Sequence, residues 1–302
     1  MKIRLFGLTL SFWFLVQLVA DERVLLPPAI ANLVNEGKEA LLNKHFEGEA
    51  LTVDASKRFD QAMERLTEIV DEKLIATLRD MEAQSIDVKL VLIAWDRKKR
   101  PELYEEIRQT YVCFPLDRRY RNPWGHPPPL QEKHSVEEYR IVWEYFILAP
   151  RGGGETFGGS IFAVQALPKI RNDASLVTLV YEFGLTCREG AGLAGTNQSG
   201  LLGAIAGFKN DKAVRALLKC AEIAKNEKPR KHYDTNLEIV GSILASKEFE
   251  TVLKAFPVDS LAVDEHELFE RLLADGRKSR EEYEKKVKEV EERMKKSAAG
   301  EK

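Results

Sequence analysis

The sequence predicts an all-α protein whose C-terminal half is a short α-solenoid of stacked helix pairs, with an N-terminal helical region before it and a charged C-terminal helix after it. Two observations predict this. The stretches Asn172-Asp173-Ala174-Ser175-Leu176-Val177-Thr178-Leu179-Val180 and Asn210-Asp211-Lys212-Ala213-Val214-Arg215-Ala216-Leu217-Leu218 share an Asn-Asp start and one apolar stripe in matching register. Ser246-Lys247-Glu248-Phe249-Glu250-Thr251-Val252-Leu253 repeats the stripe with a shorter offset, and a period of this kind is the signature of helix pairs that stack on their neighbours.

From the N-terminus, Lys2 and Arg4 precede an apolar run, Leu5 to Ala20, that Asp21 and Glu22 close. This basic-then-apolar layout reads as a secretory signal over residues 1–20. The run also suits an uncleaved membrane anchor, and with no Cys just after it a lipid-modified N-terminus is not expected. Pro27-Pro28 disfavours helix before it, and helix is expected to follow with Ile30, Leu33, Val34, Ala40 and Leu41 on one side. A stronger stripe of Phe59, Met63, Leu66, Val70, Leu74, Leu78 and Met81 predicts one long helix with Asp54 as its N-cap. Val88 to Trp95 is a predominantly apolar run, which fits a buried strand or a buried helix; its helical neighbours, including a Pro-initiated helix at 101–111, favour helix.

Pro115, Pro123 and Pro127-Pro128-Pro129 exclude a regular helix from 114–133, leaving a long Pro-rich loop. Helix resumes near Ser135 with Tyr139, Val142, Trp143 and Phe146 on one face. The Gly-rich segment 151–160 then divides an N-terminal region, 21–150, from the repeats, 151–276, with a charged tail at 277–302. Within the repeats, Ser160–Ile170 is expected to pair with Asp173–Cys187, Ser199–Phe208 with Asp211–Lys225, and Asn236–Leu244 with Lys247–Phe256. In the tail, Tyr283, Val287, Val290 and Met294 are spaced four, three and four, which is two heptads that could dock on the body or pair with a second copy.

The clearest single repeat runs from Leu202 to Leu218: a small-residue-rich helix, Leu202-Gly203-Ala204-Ile205-Ala206-Gly207-Phe208, then Lys209-Asn210-Asp211, then an apolar helix that Asp211 is expected to cap. Over about residues 160–256 the chain resembles the HEAT and armadillo class of helical repeats. That resemblance implies a recognition scaffold for a protein or peptide partner.

Composition narrows the chemistry. A net charge of −2 over 302 residues gives no global attraction to nucleic acid or an anionic membrane, and membrane contact is expected only through the N-terminal segment. Three cysteines, Cys113, Cys187 and Cys220, are too few for a disulfide scaffold and read as buried thiols, although a Cys187–Cys220 bridge is conceivable. No CxxC, HExxH or GxSxG occurs, so no metal, cofactor or catalytic residue is assigned. Gly153 and Gly158 have phosphate-loop spacing, but Gly159 stands where the loop needs Lys. Asp264, Glu265, His266 and Glu267 read as the acidic start of a helix.

The candidate binding residues are Arg97, Lys98, Arg118, Arg119, Arg121 and Trp124, cations interleaved with rings that suit an anionic ligand. Export would make nucleic acid an improbable occupant, and Glu102, Glu105 and Glu106 neutralise part of the charge. Two alternatives stand beside the scaffold reading: an enzyme with a site at Cys113, His126 or His134, and a membrane-tethered envelope protein.

Overall fold

The computed structural model describes residues 26–44, 49–109, 135–150, 158–188, 195–226 and 233–300. Among them there is no strand, and the all-α class holds. The signal segment, the Pro-rich loop and most of the Gly-rich segment lie outside the described residues. The chain divides into two compact units, Met1–Phe208 and Lys209–Lys302, so the division falls inside the stretch read as repeats.

The first unit contains α1 (Pro28–Leu41), α2 (Glu49–Ile69), α3 (Glu72–Arg79), α4 (Ile86–Lys99), α5 (Pro101–Ile107), α6 (Val136–Leu148), α7 (Gly158–Ile170), α8 (Ser175–Thr186) and α9 (Gly195–Ala206). Its organising element is α4, the apolar run that periodicity alone could not assign. Ile86, Val88, Leu90, Val91, Leu92, Ile93 and Ala94 are all buried, together with Lys89 and Asp96, so the helix runs through the interior of the unit. It packs against α1, α2, α3, α5, α6 and α8. Ile30, Leu33, Val34, Ala40 and Leu41 of α1 and Tyr139, Val142, Trp143 and Phe146 of α6 are buried as expected. At the start of α6, Ser135 Oγ accepts from Glu138 N, and Glu138 Oε2 accepts from Ser135 N, a complete capping box.

The long helix expected from Phe59 to Met81 is two helices. Asp71 Oδ1 accepts from Leu74 N at 2.8 Å, a cap that starts α3, and after the break Ile75 is buried in place of Leu74 while Leu78 is buried as expected. Asp54 is correspondingly no N-cap; it lies inside α2 and pairs with Arg58. The expected pairing of α7 with α8 is also displaced. The main partners of α7 are α6 and α9, while α8 packs on α9, α6 and α4, so the short turn between α7 and α8 redirects the chain around α4 instead of closing a hairpin. The small residues of α9 are not all close-approach positions. A Cβ at Gly203 would meet nothing within 4 Å, whereas one at Gly207 would lie 2.7 Å from Pro168 Cβ.

The second unit contains α10 (Asp211–Asn226), α11 (Tyr233–Leu244), α12 (Lys247–Ala255), a 3-10 turn (Val258–Ser260) and α13 (Val263–Gly300). Here α11 is the hub, packing on α10 and α12 and most extensively on α13. Gly241 and Gly276 meet at that crossing. A Cβ on Gly276 would overlap the carbonyl oxygen of Gly241, and one on Gly241 would lie 2.7 Å from the carbonyl oxygen of Leu272. The charged tail is the direct continuation of the helix that forms this crossing. Phe256 and Phe269 stack at 5.8 Å, with the Arg215 guanidinium 5.6 Å from the Phe256 ring.

The two Asn-Asp turns do share a backbone device. Arg171 (φ 56°) and Lys209 (φ 53°), each just before the Asn, are the described non-glycine residues at positive φ. The Asn side chains do different work: Asn172 Oδ1 accepts from Ala174 N at 3.0 Å, closing an Asx turn ahead of α8, whose own N-cap position, Ala174, has no side-chain cap, whereas Asn210 Oδ1 accepts from Ala213 N at 2.9 Å and caps α10. Asp211, expected as the cap, instead occupies the first turn of α10, where its charge suits the helix dipole. Leu176, Val214 and Phe249, the marker positions of the three stripes, are all helical and buried.

Candidate binding surfaces

The basic run Arg97-Lys98-Lys99-Arg100 closes α4, where cations complement the negative end of the helix dipole. Each cation is engaged within the unit. Arg97 Nη1 lies 3.0 Å from Asp60 Oδ1 with its guanidinium 5.1 Å from the Tyr145 ring. Burial works against the Arg97 charge, but Tyr145 and Asp60 outweigh it and hold the guanidinium above its usual pKa. Lys98 Nζ donates to Thr67 O at 2.6 Å, Lys99 pairs with Glu72 at 3.2 Å, and both ammonium groups lie over the Trp95 ring. Arg100 pairs with Asp96 and, at 2.8 Å, with Glu138. Of the six candidate binding residues, then, Arg97 and Lys98 tie the end of α4 to α2 and α6. Arg118, Arg119, Arg121 and Trp124 lie outside the described residues, as do Cys113, His126 and His134.

Beside this run is a cleft of about 380 Å³ with an apolar floor of Ile75, Leu92, Trp95 and Ile141 and a rim that includes Arg79 and Glu137. Glu82, Glu137 and Arg140 line it and belong to a largely buried charge cluster. Lys89 lies 2.7 Å from Glu82 Oε1 and 2.8 Å from Glu144 Oε2. Arg140 Nη1 lies 2.8 Å from Glu82 Oε1 and 2.9 Å from Glu144 Oε1, and Arg140 Nε donates to Glu137 at 2.5 Å. Ser175 Oγ donates to Glu144 Oε1 at 2.5 Å, and Asn172 Nδ2 to Glu137 Oε2 at 3.0 Å. Lys89 and Glu144 are fully buried. Burial would raise the Glu82 carboxyl, but Lys89 and Arg140 overcome it and hold it below the usual range. Two cations and three carboxylates locked this way act as a polar staple joining α4, α6, the 80–85 turn and the start of α8.

Sequence reasoning did not single out these residues. The available signals were a lysine inside the apolar run Val88–Trp95 and the four-residue spacing of Arg140 and Glu144 on an otherwise apolar face. A second staple of the same kind pairs buried Lys44 with Glu182 at 2.9 Å, and Lys44 Nζ also donates to Ile147 O. Asp96 behaves differently from Glu82. Its burial outweighs the pull of Arg100 and Tyr104 and leaves its carboxyl above the usual range.

The other surface is the outer part of α13. Tyr283, Val287, Val290 and Met294 are 69, 36, 52 and 67% exposed and form one stripe, the expected two heptads. Met294 and Val287 occupy a positions, Val290 and Tyr283 d positions. Toward the helix start the same register reaches Gly276 and Leu273, then Phe269, which pack inside the unit. Between the two parts stands Arg280, whose Nη1 donates to Ala245 O at 3.0 Å while Nε donates to Glu284.

Among the described residues no helix is long and apolar enough to cross a membrane, and no group of three or more His, Cys, Asp or Glu side chains could hold a metal ion. Cys187 and Cys220 are buried thiols, one in each unit. No protein-family model, curated protein or solved structure matches this chain.

Proposed function

We propose that the chain is an exported helical scaffold that binds a protein or peptide partner, and that the exposed stripe on α13 is its working surface. The observation that carries this is four large apolar side chains standing on one face of a helix of low overall hydrophobicity. A helix that was only a solvated tail would gain nothing from such spacing, whereas helix-in-groove and helix-to-helix recognition use it directly. Export rests on the layout of residues 1–20. The Arg171-Asn172-Asp173 and Lys209-Asn210-Asp211 turns, alike in backbone, support reading the helix-turn-helix stretches around them as copies of one HEAT-like element, although α7 and α8 do not close a hairpin. The internal pairing of Arg97, Lys98, Lys99 and Arg100 gives no support to an anionic ligand at the end of α4.

A photo-crosslinking residue placed at position 290 of the full chain, with Lys285 on the opposite helix face as control, tests the reading in the native cells. The expected result is a discrete adduct from position 290 and none from position 285. Equal labelling from both positions, or from neither, would overturn it.

A further inference from the structure

We propose that the occupant of the α13 stripe is the same stripe of a second copy of this chain, docked parallel and in register; this rests on the binding role just assigned to α13. The argument begins with reach. At 1.5 Å per residue α13 spans roughly 57 Å, while α11, its main partner, spans roughly 18 Å, so the apolar seam outlasts the helix that covers its beginning. Phe269, Leu273 and Gly276 use the seam internally, Arg280 seals the end of that contact, and Tyr283 to Met294 continue it into solvent.

Charge then selects the occupant. With Tyr283 and Val290 at d and Val287 and Met294 at a, the g positions are Lys286 and Arg293 and the e positions are Glu284 and Glu291. One flank of the seam is basic and the other acidic. Two copies side by side in parallel bring Lys286 of each against Glu291 of the other, an attraction counted twice by symmetry. An antiparallel pair would set Glu against Glu along one edge and Lys or Arg against Lys or Arg along the other. The pattern is thus complementary to itself in one orientation only.

Within each copy, Glu282 to Lys286 and Glu289 to Arg293 have the four-residue spacing that supports a single helix, so the seam is presented already folded and the ordering cost of association is low. A seam of two heptads is short, which places the contact at the weak end of specific interfaces, with dissociation at roughly 10–500 µM.

Sedimentation equilibrium of the full chain tests this directly. The expected result is a mass rising from 34.3 kDa toward twice that value with concentration. Val290→Glu should abolish the rise. Lys286→Glu should weaken it roughly fivefold to tenfold, and adding Glu291→Lys to Lys286→Glu should restore it. Under oxidising conditions Val290→Cys should form a covalent dimer and Lys285→Cys should not. A chain that stays monomeric to about 500 µM, an association indifferent to Val290→Glu, or a charge swap that fails to rescue would overturn the proposal. If the chain is monomeric while position 290 still crosslinks to a different protein, the self-pairing is wrong and the scaffold reading survives; if position 290 crosslinks to nothing, both fail.

Discussion

The two units solve the problem of fixing helices against one another by opposite means. In the first, charge does it: Lys38, Lys44, Lys89, Asp96, Arg140, Glu144, Glu182 and Arg188 are all buried, and pairs among them bridge helices far apart in the chain. In the second, no charged residue is buried among the described residues, and the closest crossing is made by two glycines with no side chain at all. A charge staple sets register through direction and partner identity, and it penalises any other packing because an unpaired buried ion is so costly. A glycine contact sets register through shape, by letting backbones approach where nothing larger fits. The first unit should therefore be fragile to losing a group and the second to gaining one.

The largest effect is expected from Glu144→Ala. It leaves buried Lys89 with one of its two carboxylates and Arg140 with two of its three, and should cost about 3–5 kcal/mol. The described tryptophans, Trp95 and Trp143, both lie in the first unit, and Trp143 is buried, so urea unfolding followed by Trp fluorescence reads the loss. Replacing Lys89 by Met and Glu144 by Leu together should recover most of it, because Arg140 keeps Glu82 and Glu137. A cost below about 1 kcal/mol for Glu144→Ala would mean that the staple does not hold the core.

Next comes a single substitution with opposite signs at two sites. Gly276→Ala in α13 places a methyl group into the Gly241 backbone and should destabilise by about 1–3 kcal/mol even after the gain in helix propensity. Gly203→Ala in α9 meets open space and should stabilise by about 0.5–1 kcal/mol. Amide hydrogen exchange across 236–276 and across 195–206 reads the two separately. Equal signs would erase the distinction between a glycine kept for contact and one that is only tolerated.

How much of this was legible in the sequence follows from what periodicity records. The α1 and α6 faces, the helical state of 88–95 and the seam from Tyr283 to Met294 are local patterns, and local patterns were readable. The break at Asp71 was hidden because the apolar stripe continues through it, with Ile75 buried in place of Leu74, and only the cap bond to Leu74 N reveals it. Lys89, Arg140 and Glu144 read individually as interruptions of apolar faces, since their meaning depends on partners such as Glu82 that lie 58 residues from Arg140. The turns before Asn172 and Asn210 were recognised as equivalent, but helix pairing depends on where the chain goes after the turn, and α8 is drawn to α4. Of the six candidate binding residues, the two described are occupied within the fold; the seam on α13 was visible in sequence, whereas its exposure was not.

Acid sharpens the contrast within the first unit. Glu138, whose capping-box bonds to Ser135 and pairing with Arg100 hold its pKa at about 2, contributes stability that is present above the ordinary carboxylate range and lost as pH falls toward about 2. Glu82 acts in the same direction. Asp96, raised by burial, acts in the other: stability associated with its protonated form is lost as pH rises through its folded value. Glu138→Gln should cost about 1 kcal/mol near neutrality and flatten the acid limb between about pH 4.5 and about pH 2. An acid limb of unchanged steepness would place the proton uptake elsewhere.

The smallest effect compares the one device the units share. Arg171 and Lys209 both hold φ near +55°, where any side chain with a Cβ is strained and glycine is not, so replacing either by Gly should relieve strain of about 1 kcal/mol against a comparable loss from the freer unfolded chain. The balance is decided by what the side chain does. Lys209 pairs with Glu248 at 2.7 Å, an exposed contact that holds that carboxyl below its usual range. Arg171 is exposed, with its guanidinium outside the buried cluster. Arg171→Gly is therefore expected to be the more favourable of the two, read as the higher Tm relative to the parent in paired thermal melts. The ordering should vanish in the Glu248→Gln background, because the turn geometry is common to both sites and only the ion pair separates them. A difference that persists there would show that the two turns, alike in backbone, are strained to different degrees.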